Sequence, residues 1–135
     1  MPVRFVDTSI FLRFLTRDDP TKFARCRRLF EQTVAGSFSL WTSDLVIVEV
    51  IWSLLTYYDL PKPVVIEKIG QILNTSNLPV TNQEVLIEAL VLWSRHNCDF
   101  TDAYTAVLIH RDGLSGLISY DADFDVFPFT RRQEP

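Results

Sequence analysis

Residues 2–9 read P-V-R-F-V-D-T-S. Val3, Phe5 and Val6 form a short run suited to a buried parallel strand, and the run stops at Asp7, with two hydroxyl residues behind it. In an open α/β sheet the crevice outside the carboxyl ends of the strands is where ligands bind. Asp7 is therefore the first candidate for chemistry.

Outward from this stretch, strands and helices alternate. Residues 9–16 carry Ile10, Phe11, Phe14 and Leu15 at helical spacing, and R-D-D-P at 17–20 ends them. Pro20 opens a second helix at its first position, with Phe23, Cys26, Phe30 and Val34 on one face and Gly36 as the stop. Residues 38–42 predict a strand, and Ser43 or Asp44 caps a helix over 45–58 whose length outweighs its valines. Pro61 and Pro63 start another helix that runs to about Asn74. A short strand follows at 78–80, weakened by Pro79. Asn82 caps a helix holding Val85, Leu86, Ala89, Leu90 and Trp93, and the next helix runs from about 99–102 to Gly113. Residues 116–120 predict a strand ending at Asp121, residues 126–129 a last edge strand, and 130–135 a polar, frayed tail. The alternation predicts an α/β fold with a parallel sheet and helices on both faces.

The length of 135 residues fits one domain with a single core, and 47% apolar with 22% charged residues excludes disorder. Arg4, Asp7, Arg13 and Glu49 interrupt the apolar stretches, so neither a membrane span nor a secretory signal is expected, and the expected location is cytoplasmic. Cys26 and Cys98 are far apart and read as packed thiols. The formal net charge is -4, yet seven of the 13 basic residues fall within the first 28 positions. That end of the chain is either a solvated basic helix face or a surface for anions.

Further acids stand at telling places. Glu49 interrupts the apolar run V-I-V-E-V-I-W; it is either the wet stripe with Ser53 and Thr56 or a carboxylate held out by a stiff helix. In C-D-F-T-D-A-Y, Asp99 and Asp102 lie three apart at a helix start, where Asp99 reads best as a cap. Asp102, beside small Ala103, is the better functional candidate. In S-Y-D-A-D-F-D, Asp121, Asp123 and Asp125 follow an apolar strand, and Ser119 can support a carboxylate. Carboxylates gathered together repel unless a cation joins them. Oxygen-only ligands favour a hard ion, magnesium or manganese, which can activate water for in-line attack at phosphorus. His96 and His110 read as structural.

D-T-S at 7–9, the isolated Glu49, F-T-D-A at 100–103 and S-Y-D-A-D-F at 119–124, with R-F-L-T-R-D-D-P after the first aspartate, resemble the PIN domain, and within it the VapC toxins of toxin–antitoxin pairs. The resemblance implies a single PIN domain over 1–135, a three-layer α/β/α sandwich with a central, mostly parallel sheet of four to five strands. It implies a ribonuclease using one or two Mg²⁺ or Mn²⁺ ions, with Asp7, Glu49, Asp102 and Asp121 as its catalytic acids and metal ligands and Asp123 as an accessory ligand. Ser9 and Ser119, and more weakly Asp99, would support the site, while Arg13, Arg17, Arg25 and Arg28 would steer RNA phosphates. A homodimer and a cognate antitoxin are the implied partners. Among rivals, a haloacid-dehalogenase-type phosphatase needs a second aspartate where Ser9 stands, and a two-component receiver domain needs a lysine after a late strand. A noncatalytic module of the same fold that binds RNA or protein is the remaining alternative.

Overall fold

The computed structural model describes residues 2–135. The chain divides into two compact units, Met1–Gln83 and Glu84–Pro135.

In the first unit, β1 (Val3–Phe5) leads into α1 (Thr8–Thr16) and α2 (Pro20–Val34), then β2 (Ser39–Trp41), α3 (Asp44–Thr56) and α4 (Lys62–Leu73). The punctuation follows the side chains. Asp19 accepts a hydrogen bond from the Lys22 amide at the start of α2 with Pro20 at its first position, and Ser43 Oγ accepts from the Val46 amide at the start of α3. Gly36, just past α2, has φ 86, a left-handed turn that favours glycine. Phe11, Ile47, Val50, Leu54, Val65 and Ile69 are fully buried, and Phe11 stacks on Phe30 at 5.8 Å. β1 and β2 pair in parallel, Val3 opposite Ser39 and Phe5 opposite Trp41.

Two expectations change here. β1 is parallel but not buried: Val3 is 64% and Phe5 54% exposed, and only Val6, one residue on, enters the core. Its hydrogen-bonded neighbour is β2 on one edge, and Phe5 packs edge-on against the half-open Trp41. The strand expected at 78–80 is a single parallel bridge, Thr42 to Val80. Pro79 has no N–H for a ladder, and its carbonyl accepts instead from the Thr42 amide.

In the second unit, α5 (Gln83–Arg95, its first residue closing the first unit) and α6 (Phe100–Arg111) precede β3 (Leu117–Ile118), two 3₁₀ turns (Ala122–Val126 and Pro128–Thr130) and β4 (Arg132–Gln133). Trp93 packs edge-on against Phe100 and donates from Nε1 to the Cys98 carbonyl, closing the α5–α6 corner. Phe124 and Phe127 are buried under the 3₁₀ turns, and His96 and His110 lie edge-on to Phe127 and Phe129, as their structural reading expects. Cys26 is buried and Cys98 half-buried.

The end of the chain differs most from expectation. Residues 126–129 are not an edge strand, because Pro128 fixes the backbone for a 3₁₀ turn. The tail expected to fray supplies β4 instead, paired in parallel with β3, Leu117 opposite Arg132 and Ile118 opposite Gln133. β3 is shorter than expected and ends three residues before Asp121. The expected α/β fold with parallel strand pairing is present, as two two-stranded ladders and the Thr42–Val80 bridge among the described residues; four to five strands are not confirmed. Strands of two or three residues, bounded by proline and by 3₁₀ turns, provide few ladder hydrogen bonds.

Candidate metal centre

In the first unit, Asp7 is the N-cap of α1, with extended backbone (φ -90, ψ 166). Its carbonyl accepts from the Ile10 amide, but its side chain makes no capping hydrogen bond. The carboxylate is exposed at the positive end of the helix dipole. The next residue, Thr8, is buried, and its hydroxyl donates to Glu49 Oε2 at 2.8 Å, across 41 positions of sequence. Glu49 sits on α3, whose Ile47, Val50 and Ile51 are buried, so a packed helix presents the carboxylate and Thr8 orients it. Ser9, expected to support the site, lies exposed on the first turn of α1. The sequence reading passed over Thr8, although its signal was present in D-T-S: one step along a helix turns it inward when Asp7 and Ser9 face out.

In the second unit three acids come together. Asp102, on the first turn of α6, and Asp121 and Asp123 each offer a carboxylate oxygen within 4.8 Å of the others. Asp121 is the N-cap of the first 3₁₀ turn; its Oδ1 accepts from the Asp123 amide, and its own amide donates to Ser119 Oγ. Ser119 thus supports Asp121 through the backbone. Burial, followed by the charges of Asp99, Asp121 and Asp123, pushes the Asp102 carboxyl above its ordinary value. Asp99 stands at the N-cap of α6 as expected, but without a side-chain capping bond, and its charge also acts on Asp102.

Such a trio fits a hard divalent cation. The donors are all carboxylate oxygens, and a cation would offset the burial and the neighbouring charges that raise the Asp102 carboxyl. Asp125, the third acid of the segment, is engaged elsewhere. Arg132 grips it through two parallel hydrogen bonds, and the guanidinium holds its carboxyl below the ordinary value.

The basic residues expected to meet RNA divide into engaged and open ones. Arg13 pairs with Asp18 at 2.7 Å, and Tyr58 donates to the same carboxylate. Burial works upward on Asp18, but hydrogen bonds from Tyr58 and Thr16 together with the Arg13 charge outweigh it and leave the carboxyl below its usual value. Arg17 stacks over Phe23 with its guanidinium carbon 4.6 Å from the ring centre. Arg25 and Arg28 are exposed on α2.

A family model for the PIN domain matches residues 4–129, through both units. The chain belongs to the PIN-domain family. Among curated proteins it is similar to the VapC ribonuclease of Aquifex aeolicus (strain VF5), 24% identical over 127 residues that cover 94% of this chain and 93% of that protein. Among solved structures it is similar to Mycobacterium tuberculosis VapC20, described as a sarcin-ricin loop cleaving toxin, at 18% identity and a TM-score of 0.43, over 91% of this chain and 93% of that one. For this PIN-domain chain, no helix among the described residues is long and apolar enough to cross a membrane.

Proposed function

We propose that residues 1–135 act as one PIN domain, a metal-dependent endoribonuclease of the VapC type and the toxin of a toxin–antitoxin pair. The observation that carries this reading is the carboxylate trio Asp102, Asp121 and Asp123 in a chain whose PIN-family match spans residues 4–129. The similarity to a VapC ribonuclease along nearly the full length supports the substrate class.

In this reading Asp7, Glu49, Asp102 and Asp121 are the catalytic acids, and Asp123 is accessory. Asp102, Asp121 and Asp123 would hold a divalent ion, Mg²⁺ or Mn²⁺, one ion or one of two. When bound, it supplies positive charge against the developing phosphorane and lowers the pKa of attacking water. The chain's own residues do the rest. Thr8 donates to Glu49 and keeps that carboxylate in one orientation; Ser119 and the Asp123 amide hold Asp121 by its backbone and by one of its oxygens. A bound cation would favour the charged form of Asp102, whose carboxyl burial and then the charges of Asp99, Asp121 and Asp123 push above its ordinary value. Arg25 and Arg28 attract the RNA backbone; Arg13 and Arg17, already engaged, contribute less. The expected partners are RNA, a cognate antitoxin and a second copy of the chain.

The test is cleavage of structured RNAs by partner-free protein with Mg²⁺ or Mn²⁺, beside chelator and an Asp121→Asn variant. Cleavage that depends on the ion and on Asp121 is expected. Cleavage that persists in chelator would sink the mechanism, and metal-dependent RNA binding without cleavage would favour the noncatalytic module.

A further inference from the structure

Arg132 donates hydrogen bonds to Asp125, Ser119 and Glu134, and the cleavage proposed above gives it no role. It lies in β4, and its side chain is only 15% exposed. Nε donates to Asp125 Oδ1 at 2.8 Å and Nη2 to Asp125 Oδ2 at 3.1 Å, a bidentate fork. Nη1 donates to the Ser119 carbonyl at 3.1 Å and to Glu134 Oε1 at 3.4 Å. Ser119 and Asp125 are the two ends of one segment, and Asp121 and Asp123 lie between them. One guanidinium therefore closes the acidic loop at both ends.

Three further observations show that the clamp is anchored. The Ser119 amide donates to the Gln133 carbonyl at 3.1 Å, extending the β3–β4 ladder to the loop's first residue. At the foot of β3, Gly116 passes so close to the chain before β4 that an added Cβ would stand 3.0 Å from the Arg131 carbonyl oxygen. Arg131 itself turns the chain into β4 with a left-handed φ of 51. The position of Arg132 is thus fixed from its backbone outward.

We propose that Arg132 is a positioning residue for the metal centre: by fastening Ser119 to Asp125 it sets the spacing of Asp121 and Asp123, and so the affinity of the Asp102–Asp121–Asp123 trio for a divalent cation. The proposal rests on the reading of that trio as a cation site. It makes a prediction opposite in sign to simple electrostatics. A guanidinium near a cation site repels the cation, so removal of its charge alone should strengthen binding. Loss of the clamp should weaken it, because three like charges then splay apart; supporting partners of metal ligands are worth about 10–100-fold in affinity. The planar fork matters as much as the charge, so lysine should substitute poorly.

The experiment is Mn²⁺ titration of the full chain, followed by the electron paramagnetic resonance signal of the free ion, at a temperature where circular dichroism shows each variant folded. Wild type, Asp121→Asn, Arg132→Gln, Arg132→Lys and the double variant Asp125→Asn/Arg132→Gln are compared. We expect Arg132→Gln to bind Mn²⁺ about tenfold more weakly. Arg132→Lys should fall between it and wild type, and the double variant should be no weaker than Arg132→Gln alone. Binding by Arg132→Gln as tight as wild type or tighter, with binding lost in Asp121→Asn, would overturn the positioning role and leave the site standing. Equal binding by wild type and Asp121→Asn would overturn the site and the proposal with it. Should Arg132→Gln fail to fold, Arg132→Lys decides, because it keeps the charge and loses the fork: wild-type affinity there overturns the proposal.

Discussion

The two units hold their acids by different physical means. In the first, Asp7 caps α1 and Glu49 stands on α3, where the buried, neutral Thr8 hydroxyl donates to it at 2.8 Å. In the second, Asp102, Asp121 and Asp123 crowd within 4.8 Å of one another, and two of them lie in a 3₁₀ segment kept in place by the charged side chain of Arg132. There, burial and the crowding of like charges push the Asp102 carboxyl up, and a cation would offset both. On the helix a single neutral donor orients the carboxylate, whereas the loop is fastened by a charged side chain at both ends.

Four outcomes would break or sharpen this contrast. The largest concerns the acids proposed as catalytic: Asp121→Asn and Asp7→Asn should each reduce RNA cleavage by more than about 100-fold, since even supporting partners are worth about 10–100-fold. If Asp7→Asn cleaves like wild type, the first unit's acids have no part in the chemistry.

Next comes Thr8→Val, which keeps shape and deletes the donor. Cleavage at saturating metal should fall about tenfold, with Thr8→Ser restoring most of it. A normal rate in Thr8→Val would show that Glu49 needs no orientation.

The third outcome is a stability difference of opposite sign in the two units. In chelator at neutral pH, Asp102→Asn should melt a few degrees higher than wild type, while Glu49→Gln should not gain. The folded-state pKa of Asp102 is raised above 3.8, so the stability its protonated form allows is complete below 3.8 and is lost as pH rises through the higher folded value. The advantage of the asparagine should therefore be present at pH 7 and vanish below about pH 3.8. A melting advantage unchanged from pH 7 to pH 3 would remove repulsion as its cause.

The smallest effect concerns the basic helix α2. Arg25→Ala or Arg28→Ala should each lower the slope of log RNA affinity against log salt by about 0.7. Arg13→Ala, whose charge is already matched by Asp18, should lower it less. Equal slopes for all three would show that RNA reaches this helix without regard to the ion pair.

Much of the architecture was legible in the sequence because it is written in local chemistry. Pro20, Ser43, Pro61 and Asn74 punctuate helices through effects that act within four residues, and the helices stand within a residue or two of where those signals put them. PIN-family membership was likewise legible in D-T-S, Glu49, F-T-D-A and S-Y-D-A-D-F, since a family signature is a property of residue order. The acids at 102, 121 and 123 could be suspected together for the same reason.

What the sequence could not supply depends on contacts between distant residues. The polar tail 130–135 has no apolar alternation and reads as frayed, yet its two-residue pairing with β3 makes Arg132 a clamp on Asp125 and Ser119. Thr8 looks like one more hydroxyl after an aspartate until folding buries it and brings Glu49, 41 positions away, within 2.8 Å. By itself, the sequence determined the helices, their caps, the family and the candidate acids, because short-range sterics and hydrogen bonding decide these. Only the tertiary structure decided which acids repel, which are oriented by a neutral donor and which are fastened by a cation, because those depend on through-space distance.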